Sequence, residues 1–546
     1  MMTGARAMVE GLLEQDVDTL FGYPGATICP FYDEVAIEEK KGTMKHILVR
    51  QEQNAGHMAS GYARRTGRPG VCVVTSGPGA TNLITGIATA YLDSIPLIAI
   101  TGQVPTNQLG KDVFQEVDTT GMCAPFVKHS YLVKDAADIP RIMREAFHIA
   151  STGRPGPVLI DVPSDIQNQE FEYSDPGEVN IRGYKPNITG NDKQIKKIAR
   201  EIATAKKPII VAGGGVVLSE AEDLLVEFAK KNNIPVVTTM MGLGVLPTLD
   251  PLNLGMIGVF GNSPANYAVN HTDLLIIVGA RVADRAVPAP ENVLKHCRTI
   301  HIDIDSAEIG KNMEATIPIV GDVKLILKKL LREDIDIDVS EWTKEVQEKV
   351  KESRIRPMKR RAKGTVGPKK LMLGIGKQLD EDAYVVADVG QNQIWAAKYI
   401  NINKGKFVTS GGLGTMGYAL PAGMGVKFAD PDLQTIVVCG DGSFQMTMNE
   451  LSTLVEHNLN LKIVLVNNRR LGMVNELQRK NFSQGPYAVF LPETPDFCKL
   501  ADAYGIAHRL LSDEDQIDDA VKEMLTYDGP FLLECRVGAD ESTMIQ

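Results

Sequence analysis

The sequence predicts an α/β protein of three doubly wound parallel-sheet domains, and three observations predict it. At 546 residues the chain exceeds one ordinary domain, and three is the natural division. Short apolar runs alternate with helical patterns along the chain, as strand–helix–strand units with parallel strands require. Two low-hydrophobicity stretches, about 171–193 and 330–368, interrupt that alternation and leave units at 1–170, 190–330 and 365–546.

Composition is globular, with 44% hydrophobic and 23% charged residues. The net charge of −10 argues against a nucleic-acid surface, and no basic cluster carries interleaved aromatics. The run Lys359 to Thr365 is short and reads as a solvated linker face. Seven cysteines (29, 72, 123, 297, 439, 498, 535) contain no CxxC pair and lie mostly among apolar residues, which fits a reducing cytosol. No signal-peptide flanks open the chain, and no apolar run approaches the ~18 residues of a membrane span. The expectation is a cytoplasmic protein with neither nucleic acid nor membrane as partner.

In the first unit, Ala5–Glu14 is helical and Thr19–Tyr23 a strand, followed by the turn Tyr23-Pro24-Gly25. His46–Arg50 is a second strand, ending at Glu52, and residues 54–65 have the small, periodic look of a packed helix. Val71–Thr75 is a buried strand that Ser76-Gly-Pro-Gly79 turns into a helix near Thr81. Ile95–Thr101 and Pro157–Val162 complete the set. Glu52, beyond a strand and before a helix, could simply favour that helix's N-terminus through its dipole.

The second unit opens with a helix and the strand Pro208–Ala212, then Gly213-Gly214-Gly215. A GxGxxG fingerprint would need glycine at 218, which is Leu, and the second strand, Ile234–Thr239, ends without the acid that holds an NAD ribose. NAD is therefore disfavoured. Asp273–Val278 and Thr299–Asp303 are further strands ending in Gly279, Arg281 and Asp303; ordinary structural turns would look the same. The stretch 330–368 is highly charged and helical, a tether.

In the third unit, strand Ala383–Ala387 leads to Asp388-Val-Gly-Gln391, and Phe407–Gly417 is a glycine-rich strand-to-helix turn. Thr435–Cys439 is a strand ending in Gly440-Asp441-Gly442-Ser443; Leu461–Val466 then delivers Asn467 and Asn468. Phe531–Cys535 is the final strand. Two strand ends side by side are where open α/β sheets bind ligands. Asp441 and the Asn468 side-chain oxygen are hard donors suited to Mg²⁺, which takes most of its ligands from water and phosphate. Gly440 and Gly442 let backbone approach a diphosphate, and the following helix offers free N–H groups. Taken singly, DG and NN are common turn chemistry.

The whole pattern resembles the diphosphate–Mg²⁺ motif of thiamine-diphosphate enzymes. Arg50 to Ala59 with Thr75 to Asn82 looks like the coenzyme-activating end of the same family. Gly102-Gln-Val-Pro-Thr, Val113-Phe-Gln-Glu-Val-Asp118, Thr152 to Asp161, Asn266-Tyr-Ala with Asp284-Arg, Ser410 to Gly417 and Gly472-Met-Val474 are similar to acetolactate synthases, over nearly the whole chain.

That resemblance implies a pyrimidine-binding domain, a central FAD-type domain and a diphosphate-binding domain. It implies thiamine diphosphate, Mg²⁺ and FAD as cofactors and 2-keto acids as substrates. A homodimer or homotetramer would complete each site between two copies, and a small regulatory subunit often accompanies the family. By resemblance Glu52 hydrogen-bonds N1′ of the aminopyrimidine, so that pyruvate loses CO₂ and its two-carbon unit passes to a second 2-keto acid, giving 2-acetolactate for branched-chain amino acid biosynthesis. Gln391, Gly414 and Met416 support the coenzyme with Gly442 and Ser443. Asp441, Asn468 and the backbone of Arg470 hold the metal. Phe114 and Gln115 line the substrate pocket; Phe114 in isolation would pass for a core aromatic. Arg154, Gly214, Gly215, Arg281 and Asp303 meet FAD.

Three departures stand out. Leu477 replaces the family's usual tryptophan, which touches the choice between pyruvate and 2-ketobutyrate as acceptor. Ser164 replaces a lysine near the entrance, and the sequence given stops at Gln546 without the Pro-Met-Val-Pro tail. Alternatives are a divergent 2-keto-acid or acyl-CoA decarboxylase, or a catalytically silent paralogue.

Overall fold

The computed structural model describes residues 1–354 and 364–543. Lys359 to Lys363 of the basic linker run lie outside the described residues, as does the chain end. Three six-stranded sheets form, every strand parallel to its neighbours. Across its width the first reads Lys45–Leu48, Thr19–Tyr23, Gly70–Val74, Leu97–Gln103, Pro157–Pro163, His129–Leu132. The second reads Asn253–Met256, Val236–Thr238, Pro208–Ala212, Leu274–Val278, Arg298–Asp303, Ile317–Val320. The third reads Phe407–Val408, Tyr384–Ala387, Thr435–Gly440, Lys462–Asn467, Phe531–Arg536, Ala507–Leu511. The inner strands are buried throughout because helices cover both faces, which explains their unbroken Val/Ile/Leu runs.

In each sheet the strand order reverses between two neighbours, and such switch points open a crevice at the strands' carboxyl ends. The pairs are Thr19–Tyr23 with Gly70–Val74, Pro208–Ala212 with Leu274–Val278, and Tyr384–Ala387 with Thr435–Gly440. Gly25 and Gly77, then Gly213 and Gly279, then Gly390 and Gly442 follow these strands.

Within these three sheets the sequence pattern does not announce four strands: His129–Leu132, Asn253–Met256, Ile317–Val320 and Ala507–Leu511. All four are sheet edges, so each is only partly buried and lacks a continuous apolar run. Two boundaries also shift. The strand before Glu52 stops at Leu48, and Glu52 opens the helix Glu52–Thr66; the helix placed near Thr81 starts at Pro78. The stretch 330–368 is more than a tether. Its helix Ser340–Arg354 docks Trp342 and Val346 into the central core, with Trp342 Nε1–H donating to Pro208 O at 3.2 Å. Val350 packs beside them, and Thr343 Oγ1 donates to Asn233 O at 2.8 Å, so a narrow apolar stripe with a few polar bonds seats a largely charged helix.

The first and third units share one core. Helix Glu52–Thr66 crosses helix Ala419–Ala429 so closely that a Cβ on Gly61 would collide with the Ala422 carbonyl, and one on Gly425 with the Met58 carbonyl. Met58, Ala59, Ala422 and Met424 fall in a single cluster with residues of both sheets. No described helix is long and apolar enough to cross a membrane.

Candidate active site

The crevice of the third sheet gathers most of the expected residues. Asp441 begins the helix Asp441–Thr447 at the end of a buried strand, beside the strand that ends at Asn467. Its Oδ2 is buried and has no hydrogen-bond partner among the described residues. Burial pushes the Asp441 carboxyl up to about 7, while amides of Asp441, Arg469, Gly442 and Asn468 pull the other way. Ser443 Oγ accepts from Gly440 N at 3.1 Å and donates back to Gly440 O at 3.2 Å, fixing the turn. Asn468 Oδ1 accepts from Arg470 N at 3.0 Å, and Asn468 Nδ2 donates to Gln391 Oε1 at 2.9 Å. Gln391 Nε2 donates onward to Glu541 O at 2.8 Å. Gly472 leaves room beside them, since a Cβ there would displace the Gln391 and Asn468 amide groups.

The loop Ser410 to Gly417 faces this group. A Cβ on Gly442 would lie 3.6 Å from Met416 Cε and 2.9 Å from Leu471 Cδ2, so Met416 reaches the turn after Asp441. Gly414 takes φ +76° with open space around it. Asp388 holds the loop's exit: it accepts from Gly417 N at 2.9 Å, Ala419 N at 3.0 Å and Val389 N at 2.8 Å. Burial drives the Asp388 carboxyl up to about 6.

The first sheet supplies a second group. Glu52 Oε2 accepts from Asn82 Nδ2 at 3.0 Å, and a Cβ on Gly79 would sit 3.7 Å from Glu52 Oε1. The same turn touches Gln115, whose φ is +60°: a Cβ on Gly77 would be 2.9 Å from its Cα. Phe114 is 87% exposed, so it is no core aromatic. Beneath that loop Gln103 Nε2 donates to Val117 O at 2.9 Å and to Asp161 at 3.0 Å, and Thr101 Oγ1 donates to Asp161 at 2.6 Å. Glu450, from the third unit, is fully buried. It accepts from Arg50 N and Asn54 Nδ2, both at 2.8 Å, and so brackets Glu52 on either side.

The third group lies at the central crevice. Gly215 N donates to Gly279 O at 2.9 Å, and a Cβ on Gly215 would be 2.7 Å from Gly279 Cα. Arg281 forms no ion pair among the described residues, and burial with the neighbouring Arg154 lowers its pKa. Arg154 donates to Ser94 Oγ (2.8 Å) within the first unit and reaches across to Asp305 (3.1 Å) and Glu308 (2.9 Å) of the central one. Asp303 accepts from Asp305 N at 2.9 Å, and burial raises it to about 6. Thus Glu52, Phe114 and Gln115 share one group, the Asp441 residues a second, and Arg154, Gly214, Gly215, Arg281 and Asp303 a third. Among the described residues no hydrogen bond joins Glu52 to the second group.

Three family models match the chain: the N-terminal binding domain of thiamine pyrophosphate enzymes over residues 2–122, their central domain over 195–330, and their C-terminal binding domain over 388–535. A "Probable acetolactate synthase large subunit" of Methanococcus aeolicus is 43% identical, with 98% of this chain and 92% of that protein aligned. The chain belongs to the acetolactate synthase family. The Methanocaldococcus jannaschii protein of the same description is 43% identical over 99% of this chain and 93% of its own length. An "Acetolactate synthase large subunit" of Lactococcus lactis is 42% identical over 99% and 94%.

The first and third units are thiamine pyrophosphate binding domains, so thiamine diphosphate is the coenzyme. Three polar residues that shape the site lie within stretches the sequence singles out but take no role from it: Asp388, Glu450 and Asp161. Asp388 carried a usable signal, an acid directly after a buried strand and before Gly390. Glu450 and Asp161 gave none, because their partners are hundreds or tens of residues distant in sequence.

Proposed function

We propose that this chain decarboxylates pyruvate on thiamine diphosphate and ligates the two-carbon unit to a second 2-keto acid, giving 2-acetolactate. The observation that carries the site assignment is the buried, unpartnered Asp441 Oδ2 beside the Asn468 amide at two adjacent strand ends. A buried carboxylate oxygen without a partner is costly, and a divalent ion would satisfy it. Asp441, the Asn468 side-chain oxygen and the backbone carbonyl of Arg470 would hold Mg²⁺ there. No cluster of three or more His, Cys, Asp or Glu occurs among the described residues, which suits an ion that draws most ligands from phosphate and water. Gly442, Ser443, Gln391, Gly414 and Met416 would then cradle the coenzyme.

Thiamine diphosphate, when bound, supplies the carbon nucleophile and the electron sink. The chain supplies orientation and a proton site. Glu52 Oε2 is committed to Asn82, so Oε1 is the atom available to hold the proton bond to N1′ of the pyrimidine. Phe114 and Gln115 would meet the keto acids, and Leu477, half exposed on the helix Gly472–Asn481, would tune the acceptor. Phe114's exposure supports a second copy of the chain completing the site as a homodimer or larger assembly. The name "large subunit" on the relatives supports a small regulatory partner. Arg281, which makes no ion pair among the described residues, follows Gly279, whose carbonyl accepts from Gly215 N, and this supports FAD in the central crevice.

Product analysis with thiamine diphosphate and Mg²⁺, using pyruvate alone and pyruvate with 2-ketobutyrate, tests this reading. Acetolactate from pyruvate is expected; acetaldehyde without acetolactate would reject ligation.

A further inference from the structure

The loop Thr409 to Tyr418 is gripped from behind by an ion pair of the first unit. Arg64 lies on helix Glu52–Thr66 and Asp93 just after helix Pro78–Leu92. Both are buried, with Arg64 Nη2 donating to Asp93 Oδ2 at 2.8 Å. The guanidinium also donates from Nη2 to Thr409 O at 3.2 Å and from Nε to the Tyr418 hydroxyl at 3.0 Å, so one side chain holds both ends of the loop. Asp93 Oδ1 accepts from Gly412 N at 2.7 Å, holding its middle. Ser60 Oγ shares the Tyr418 hydroxyl at 3.0 Å, and Thr89 Oγ1 meets Thr415 Oγ1 at 2.8 Å. Glycine is needed at 412, since a Cβ would come within 2.6 Å of the Leu92 backbone O, and at 411 a Cβ would push on the Met241 side chain of the central unit.

An ion pair removed from water is costly unless its remaining bonds are well made, and here they are made to the loop backbone and to Tyr418. We propose that Arg64 and Asp93 are positioning residues that pre-set the Gly414–Met416 face of the loop for thiamine diphosphate. This rests on the reading of that loop as part of the coenzyme site. The pair acts through the loop backbone and the Tyr418 hydroxyl.

The test uses the full-length, coenzyme-free protein and two variants, Asp93→Asn and Arg64→Lys. The Asn side chain keeps size and one acceptor but removes the charge; Lys keeps the charge but loses the fork. Hydrogen exchange of residues 409–418 is expected to quicken by roughly tenfold or more in both, with strand Thr435–Gly440 as protected as in the parent. Thiamine diphosphate dissociation constants, measured by calorimetry with Mg²⁺, are expected to rise by roughly tenfold. Parent-like loop exchange and coenzyme affinity in a folded variant would overturn the proposal. So would equal quickening in loop and strand, which marks a merely structural pair. If Asp93→Asn does not fold, Arg64→Lys decides. A parent protein that itself fails to bind thiamine diphosphate would sink the coenzyme reading, whereas the exchange measurement judges the clamp separately.

Discussion

Glu52 and Asn82 are joined by a 3.0 Å hydrogen bond that occupies one carboxylate oxygen of Glu52 and turns the acid beside the Gly77–Gly79 turn. Substituting Glu52→Gln keeps that bond's acceptor but removes the ionisable proton site. Turnover at saturating thiamine diphosphate is expected to fall by roughly 10²- to 10⁴-fold, with coenzyme affinity changed only several-fold. Acetolactate assays with parallel binding titrations measure both; undiminished turnover would end the proposed role.

Asp441→Asn leaves the shape of the turn but removes the buried carboxylate whose Oδ2 has no partner among the described residues. The Mg²⁺ concentration needed for half-maximal coenzyme binding is expected to rise roughly 10- to 100-fold. An unchanged Mg²⁺ requirement would remove Asp441 from the ligand set.

Asp161 gives a pH signature. Burial holds its carboxyl at about 7, against roughly 3.9 in an unfolded chain. Between those values the folded chain keeps a proton that the unfolded chain has released. Its contribution to stability is therefore complete below about pH 4 and is lost as pH rises to about 7. Asp161→Asn should abolish that component, a difference in slope on the order of 1 kcal/mol per pH unit between pH 5 and 7. Denaturant titrations of parent and variant across that range read the difference, and parallel slopes would refute it.

Gly61→Ala tests the helix crossing. A methyl group there meets the Ala422 carbonyl, so the helices must part. A loss of roughly 3 kcal/mol is expected from overpacking of this kind. Chemical denaturation checks it; a parent-like midpoint would mean the crossing is looser than the geometry indicates.

Arg281→Met separates flavin binding from folding. The Arg281 cation is largely buried and makes no ion pair among the described residues, so its loss should leave the thermal midpoint unchanged or higher. Retained flavin, read from visible absorbance after reconstitution with FAD, is expected to drop severalfold. Full flavin content in the variant would move the site elsewhere.

The inner strands and the glycine turns after them were legible because burial on both faces forces continuous Val, Ile and Leu, as in Leu274–Val278 and Lys462–Asn467. Edge strands such as Ala507–Leu511 are half-wet, with His508 and Arg509 only partly buried on opposite faces, and so hide among loops. The Asp441 and Asn468 pairing was legible because each directly follows or ends a strand. Asp93 and Glu450 were not, since their chemistry depends on Gly412 and Arg50, which only the folded chain brings near. The charged stretch holding Trp342 misled for a similar reason: one aromatic anchor outweighs many solvated lysines.

The side-chain-free crossing at Gly61 and Gly425 also bears on how such proteins could be recombined. The lines between the three sheets are not the seams along which parts can be swapped between relatives. A graft replacing the first sheet alone would have to reproduce a fit measured against the Ala422 and Met58 carbonyls, so the outer two units should travel together. The central unit, with core clusters largely its own, is the piece that chimeras should exchange with least damage.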